Sequence, residues 1–102
     1  MAGKLKDSGV HQTNPDEVAR LIEAIERDLG RLKADSADVQ RLRQEVEALK
    51  AAVRDAPHEH DRIRTGLHGV RNGFDRVADE AVADGIEVSR YVNEIGRILG
   101  LG

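Results

Sequence analysis

The densest run of groups able to bind a metal or move a proton is His58-Glu59-His60-Asp61. Imidazoles and carboxylates are common ligands of zinc and related ions. A metal needs its ligands on one face, as histidines four apart on a helix provide. His58 and His60 are two apart, so on a helix they point to nearly opposite sides. His68 lies about two turns beyond His60, and no well-placed carboxylate joins them. The run reads better as polar residues at the start of a helix, and no metal site is expected. His11 falls in a small, polar N-terminal stretch and is assigned no role.

Asp84 is the other chemically unusual residue. It stands at a position that the surrounding sequence reserves for apolar side chains. A carboxylate buried alone there would be costly or protonated. Two readings are open. Asp84 fixes the register or the oligomer order of packed helices, or Gly85 loosens the helix and lets the carboxylate reach water. Tyr91, in the same row, is placed to lend it a hydroxyl. No second carboxylate or pocket-forming loop accompanies Asp84, so no catalytic acid is assigned. The chain has no Ser/His/Asp set and no phosphate-cradling glycine loop. No catalytic residue and no cofactor is expected.

The elements that would position these groups are helices. From Pro57 to Leu99 two positions recur every seven residues. Leu67, Phe74, Ala81, Val88 and Ile95 take one. Ile63, Val70, Val77, Asp84, Tyr91 and Ile98 take the other. This 4-3-4-3 spacing is the seam of a helix packed on other helices, coiled-coil fashion. Gly66, Gly69 and Gly73 fall inside it, at about 1 kcal/mol each in an exposed helix. The heptad phase is the same on either side of them and of Asp84-Gly85, so helix is expected throughout. The glycines then let a neighbouring helix approach closely; the alternative is a hinge.

A second helical segment starts at Asn14-Pro15-Asp16-Glu17. Asn14 can cap free amides, Pro15 suits the first helical position, and the acids favour the positive end of the helix dipole. Val18, Ile22, Ile25, Leu29 and Leu32 follow, then Val39, Leu42, Val46, Leu49 and Val53 in a shifted phase. Between the two runs, Asp35 or Ser36 caps a new helix, or the helix runs on through a shortened heptad.

The two segments match in length and in pattern. Paired antiparallel, Val18 meets Ile95, Ile22 meets Tyr91, Leu29 meets Asp84, Val39 meets Phe74 and Leu49 meets Ile63, all in one register. The expected fold is therefore all-α. It is a long antiparallel helical hairpin with arms at 15–55 and 57–99 and its corner at Pro57. The alternative is a break at 34–37 that gives three helices. Residues 1–13 are expected to be a disordered tail, and 14–102 a single helical domain.

Composition agrees with helices and excludes several functions. Charged residues make up 34% and apolar residues 39%, with one Phe, one Tyr and no Trp. That pattern suits long helices and leaves no aromatic platform for stacking bases. The net charge is −3, and no block is basic enough to track phosphates, so nucleic acid is not expected as a partner. There is no cysteine, which removes disulfides and thiolate metal sites. No apolar run approaches the ~18 residues of a membrane span, and the N-terminus has no apolar leader segment. A cytoplasmic location is expected. The excess of Arg over Lys, with much Ala, Val, Asp and Gly, points to a GC-rich bacterial genome.

Two thin arms leave a second apolar set beside the seam, in which Leu21, Val82, Ile86, Val92 and Leu99 are the larger members. In a lone hairpin these would be exposed, so two hairpins are expected to pack into a four-helix bundle or a longer assembly. The expected function is that of a non-enzymatic, homo-oligomeric helical scaffold or adaptor acting through protein–protein contacts. One alternative is a partner-bound regulator, such as an antitoxin or a secreted helical-hairpin substrate. Another is membrane-surface binding through the C-terminal amphipathic helix, which Arg90 and Arg97 favour and Glu87 and Glu94 oppose.

Overall fold

The computed structural model describes residues 13–101. Apart from Thr13, the expected tail lies outside the described residues. The described chain is compact and all-helical: α1 Pro15–Leu29, α2 Ala37–Asp55, α3 His60–Arg76, the short α4 Ala78–Ala83, and α5 Val88–Leu99.

The start of α1 follows the sequence pattern. The Asn14 side chain accepts hydrogen bonds from the amides of Asp16 at 2.9 Å and Glu17 at 3.3 Å, and Pro15 opens the helix. Neither expected arm is one continuous helix. The first breaks over residues 30–36, a wider gap than the 34–37 of the alternative reading. Two tight turns follow α1, with the Arg31 amide bonded to the Asp28 carbonyl and the Leu32 amide to that of Leu29. Ser36 then caps α2 by accepting the Val39 amide at 3.3 Å. Arg43 donates to the carbonyls of Leu29 at 3.2 Å and Leu32 at 3.4 Å, which satisfies oxygens the helix end would otherwise orphan.

The second arm starts at His60 rather than Pro57, and it breaks where unbroken helix was expected. At Val77 the interruption is slight. Its amide still bonds to Gly73, and its carbonyl still receives the Ala81 amide. At Asp84-Gly85 the helix ends. Gly85 has φ +88°, a left-handed conformation that costs a residue with a Cβ but not glycine. The Ile86 amide bonds back to Ala81 and the Gly85 amide to Val82, both at 3.0 Å. This pair of bonds is the Schellman helix stop. The heptad phase hid it for a geometric reason. The loop 84–87 contributes four residues, close to the 3.6 of one helical turn. Ala81 and Val88 therefore keep their seven-residue spacing although the chain changes direction.

The four longer helices close a ring around one core. Beside α1 lies α2, with Lys50 Nζ 3.2 Å from Glu26 Oε2. Beside α2 lies α3, where Gly66 adjoins Leu49 and Gly73 adjoins Leu42. Beside α3 lies α5: the Phe74 and Tyr91 rings stack with centroids 5.4 Å apart, and Arg64 reaches the Leu99 carbonyl. α5 returns to α1, where the Tyr91 hydroxyl donates to the Ala24 carbonyl at 3.1 Å and Arg97 pairs with Glu17. Residue numbers run in opposite directions across each contact, so each of these helices is antiparallel to both neighbours.

Every apolar seam residue of the two heptad runs is buried except Val53, which is partly buried. Complete burial of such side chains contributes about 1.5–3 kcal/mol each. The two breaks lie side by side. The Lys33 amide donates to Asp84 Oδ2 at 2.8 Å, and the Ser36 hydroxyl donates to Glu80 Oε1 at 3.3 Å. The four helices expected from two chains thus come from one.

Candidate interaction surface

The chemically suggestive residues are dispersed. His58 and His68 are exposed. His60 Nδ1 lies 3.1 Å from the hydroxyl of Thr13, which is itself buried. No group of three or more His, Cys, Asp or Glu side chains able to hold a metal occurs among the described residues. Asp84 is half-exposed at the end of α4 and caps the Lys33 amide rather than facing Leu29 across a buried seam. Gly85 does release it from the helix, as one of the two readings had it.

Tyr91 does not serve Asp84. Its hydroxyl donates to Asp28 and to the Ala24 carbonyl. Burial, with the Asp28 carboxylate beside it, pushes the phenol pKa up to about 12. These bonds tie α5 to α1.

The glycine cluster lies within α3. A Cβ on Gly66 would fall 3.0 Å from Leu49 Cδ1, and one on Gly73 would fall 2.9 Å from Leu42 Cδ1. Both positions let α2 approach. Gly69 has more room, with Glu45 at 3.7 Å. The close-approach reading holds for Gly66 and Gly73, and none of the three glycines interrupts the helix.

The five expected interaction residues divide. Leu21, Ile86 and Leu99 are buried within the single chain, contrary to the expectation that they stand exposed on a lone hairpin. Folding back supplies the cover that a second chain was expected to bring. Val92 is half-buried, and Val82 is 61% exposed. The other large exposed apolar residue among those described is Leu101, at 51%.

Val82 and Leu101 line two depressions on the outer side of the α3–α5 pair. The Val82 half includes Asp75, Ala78, Glu87 and Val92. The Leu101 half includes Arg71, Val92, Gly96 and Arg97. Val92 and Asn93 line both, so the two depressions adjoin. Gly96 deepens the Leu101 half, since a Cβ there would meet nothing within 4 Å.

The charges along the two depressions are asymmetric. Asp75, Glu87 and Arg90 lie in the Val82 half, and Arg71 and Arg97 in the Leu101 half. Glu87 is partnered by Arg90 at 3.6 Å. Arg97 is taken up by Glu94 and Glu17; the Glu94 and Glu17 carboxylates raise its pKa, and the Arg97 hydrogen bond in turn lowers that of Glu94. Arg71 and Asp75, one turn apart on α3, form no ion pair with the described residues, and the buried Arg71 Nε has no hydrogen-bond partner. Neither residue stood out in sequence as part of a surface. Their spacing is ordinary, and only the position of α5 beside them makes a groove.

A second groove, between α1 and α2, is crossed by the Lys50–Glu26 ion pair and has no large exposed apolar residue in its lining. No helix among the described residues is long and apolar enough to cross a membrane. No family model, curated protein or solved structure matches the chain.

Proposed function

We propose that the protein is a non-enzymatic helical scaffold in the cytoplasm that self-associates through the α3–α5 groove. The observation that supports this is the position of Val82 and Leu101. The large apolar side chains left exposed by a well-filled core line two adjoining depressions, which share half-buried Val92 and which this reading joins into one groove. In this reading the chain is an antiparallel hairpin, coiled-coil-like in its seam, doubled back at its middle.

The occupant is a second copy. A two-fold axis near Val92 lays two grooves antiparallel, and the contact is isologous. Each Val82 end then covers a Leu101 end. Arg71 of each copy meets Asp75 of the other, so the two unpaired charges of the groove neutralise each other across the axis. Charge arranged in this way sets orientation and excludes wrong partners more than it adds affinity.

The regulator reading places another protein's helix in the same groove. The membrane reading draws less support, because Val88, Tyr91, Ile95, Ile98 and Leu99, the stripe that would enter a lipid surface, are buried in the core.

The test is a charge exchange followed by sedimentation velocity. Arg71→Asp and Asp75→Arg should each abolish the dimer, and the double exchange should restore it. Single variants that dimerise like the parent, or a double variant that stays monomeric, would contradict the two-fold.

A further inference from the structure

We infer that the loops 30–36 and 84–87 form a paired hinge through which two copies exchange their α1/α5 halves, each opening into the long hairpin that its heptads describe. Four observations carry this, and none depends on the groove.

The first is register. Contacts between the two arms follow one antiparallel order along the whole chain, across the breaks as well as within the helices. Arg97 pairs with Glu17, Tyr91 with Asp28, Asp84 with Lys33, Glu80 with Ser36, and Arg76 with Asp38; Gly73 then adjoins Leu42 and Gly66 adjoins Leu49. An open hairpin keeps all these relations between its arms.

The second is the position of the loops. They are bonded to each other through Lys33 and Asp84, so α1 and α5 hang together from one line and can swing as a unit.

The third is sequence. Neither loop contains proline, and a continuous helix through loop 84–87 must undo two backbone features, the positive φ of Gly85 and the ψ of 79° at Glu87, of which only the first depends on residue type. Residues 30–36 contain nothing worse for a helix than Gly30.

The fourth is what opening breaks. It separates α1 from α2 and α5 from α3, and a second open copy offers the same faces in return. Glu26 of one chain then pairs with Lys50 of the other, and Phe74 of one stacks on Tyr91 of the other. Exchange of identical elements is a low-cost route to a dimer, because almost every contact is re-formed. Each lobe rebuilds the same α3–α5 groove, so exchange and groove association are separate events.

The test uses the absence of natural cysteine. Glu26→Cys and Lys50→Cys are introduced together in an Asp75→Arg background, which removes the proposed groove dimer. The protein is refolded at high concentration, separated by size, and treated with a short bis-maleimide. Exchanged dimers give a covalent species of twice the chain mass under denaturing conditions. A size-separated dimer that yields only monomer-mass, internally linked chains overturns the inference and leaves groove association untouched.

Gly85→Ala penalises the left-handed loop and leaves the open helix unharmed. It should raise the exchanged fraction by about tenfold or more, the scale set by the cost of φ > 0 for a residue with a Cβ. Glu87→Pro, placed where φ is −84°, blocks a helix through the loop and should suppress that fraction. Refolding that leaves both the parent and Gly85→Ala wholly monomeric also overturns the inference.

Discussion

The Asp84 carboxylate accepts a hydrogen bond from the Lys33 amide at 2.8 Å, although the two residues are 51 positions apart. The bond joins the two places where the chain doubles back. It also explains why a carboxylate sits in an apolar row: the residue ends a helix there and satisfies a backbone amide in the facing loop. Asp84→Ala should lower the unfolding free energy by about 1 kcal/mol, typical of a lost hydrogen bond at a partly exposed site. Asp84→Asn, which keeps an acceptor oxygen, should lose about half as much. Urea denaturation followed by circular dichroism measures both.

Tyr91 gives a pH dependence with a definite sign. Its phenol pKa lies near 10 in the unfolded chain and is pushed up to about 12 in the folded one. The folded state therefore holds the phenolic proton more tightly. That contribution to stability is fully present below pH 10 and is lost as pH rises through 12. The chain has one tyrosine, so phenolate absorbance reports this group alone. The parent should lose stability across this window, and Tyr91→Phe should show a flatter profile from a lower starting point, about 1–2 kcal/mol less stable at neutral pH.

The three glycines of α3 should separate on substitution by alanine. Gly69 has ordinary contact distances, so Gly69→Ala gains helix propensity and should stabilise by about 0.5–1 kcal/mol. At Gly73 the added Cβ would lie 2.7 Å from Glu45 Oε1 and 2.9 Å from Leu42 Cδ1. Leu42 is fully buried and has little room to give. Gly73→Ala should destabilise by about 1 kcal/mol after the helix gain, an overpacking cost. Thermal melts that rank Gly69→Ala above the parent and Gly73→Ala below it would support this packing of α2 on α3.

Most of the core was legible in the sequence. The heptad rows name most of the buried residues of all four long helices, though not Leu21, Ala52 or Leu99, and the pairing they suggest is offset: it sets Leu49 opposite Ile63, whereas Leu49 adjoins Gly66. The folding back was not legible, because a four-residue loop closed by Gly85 preserves the heptad phase that continuous helix would show. Leu21, Ile86 and Leu99 look like interface in sequence for the same reason: on a hairpin that does not fold back they lie outside. The groove was half legible. Val82 and Val92 stood out as apolar residues off the seam, whereas Arg71, Asp75 and Leu101 acquire meaning only when α5 is laid against α3.

Self-association is read out by sedimentation equilibrium of the unmodified protein over a wide concentration range. A chain that pairs with a second copy gives a reversible monomer–dimer equilibrium whose mean mass rises toward twice that of one chain. A mass that stays at one chain up to the highest concentration, with helical content intact, would contradict self-association.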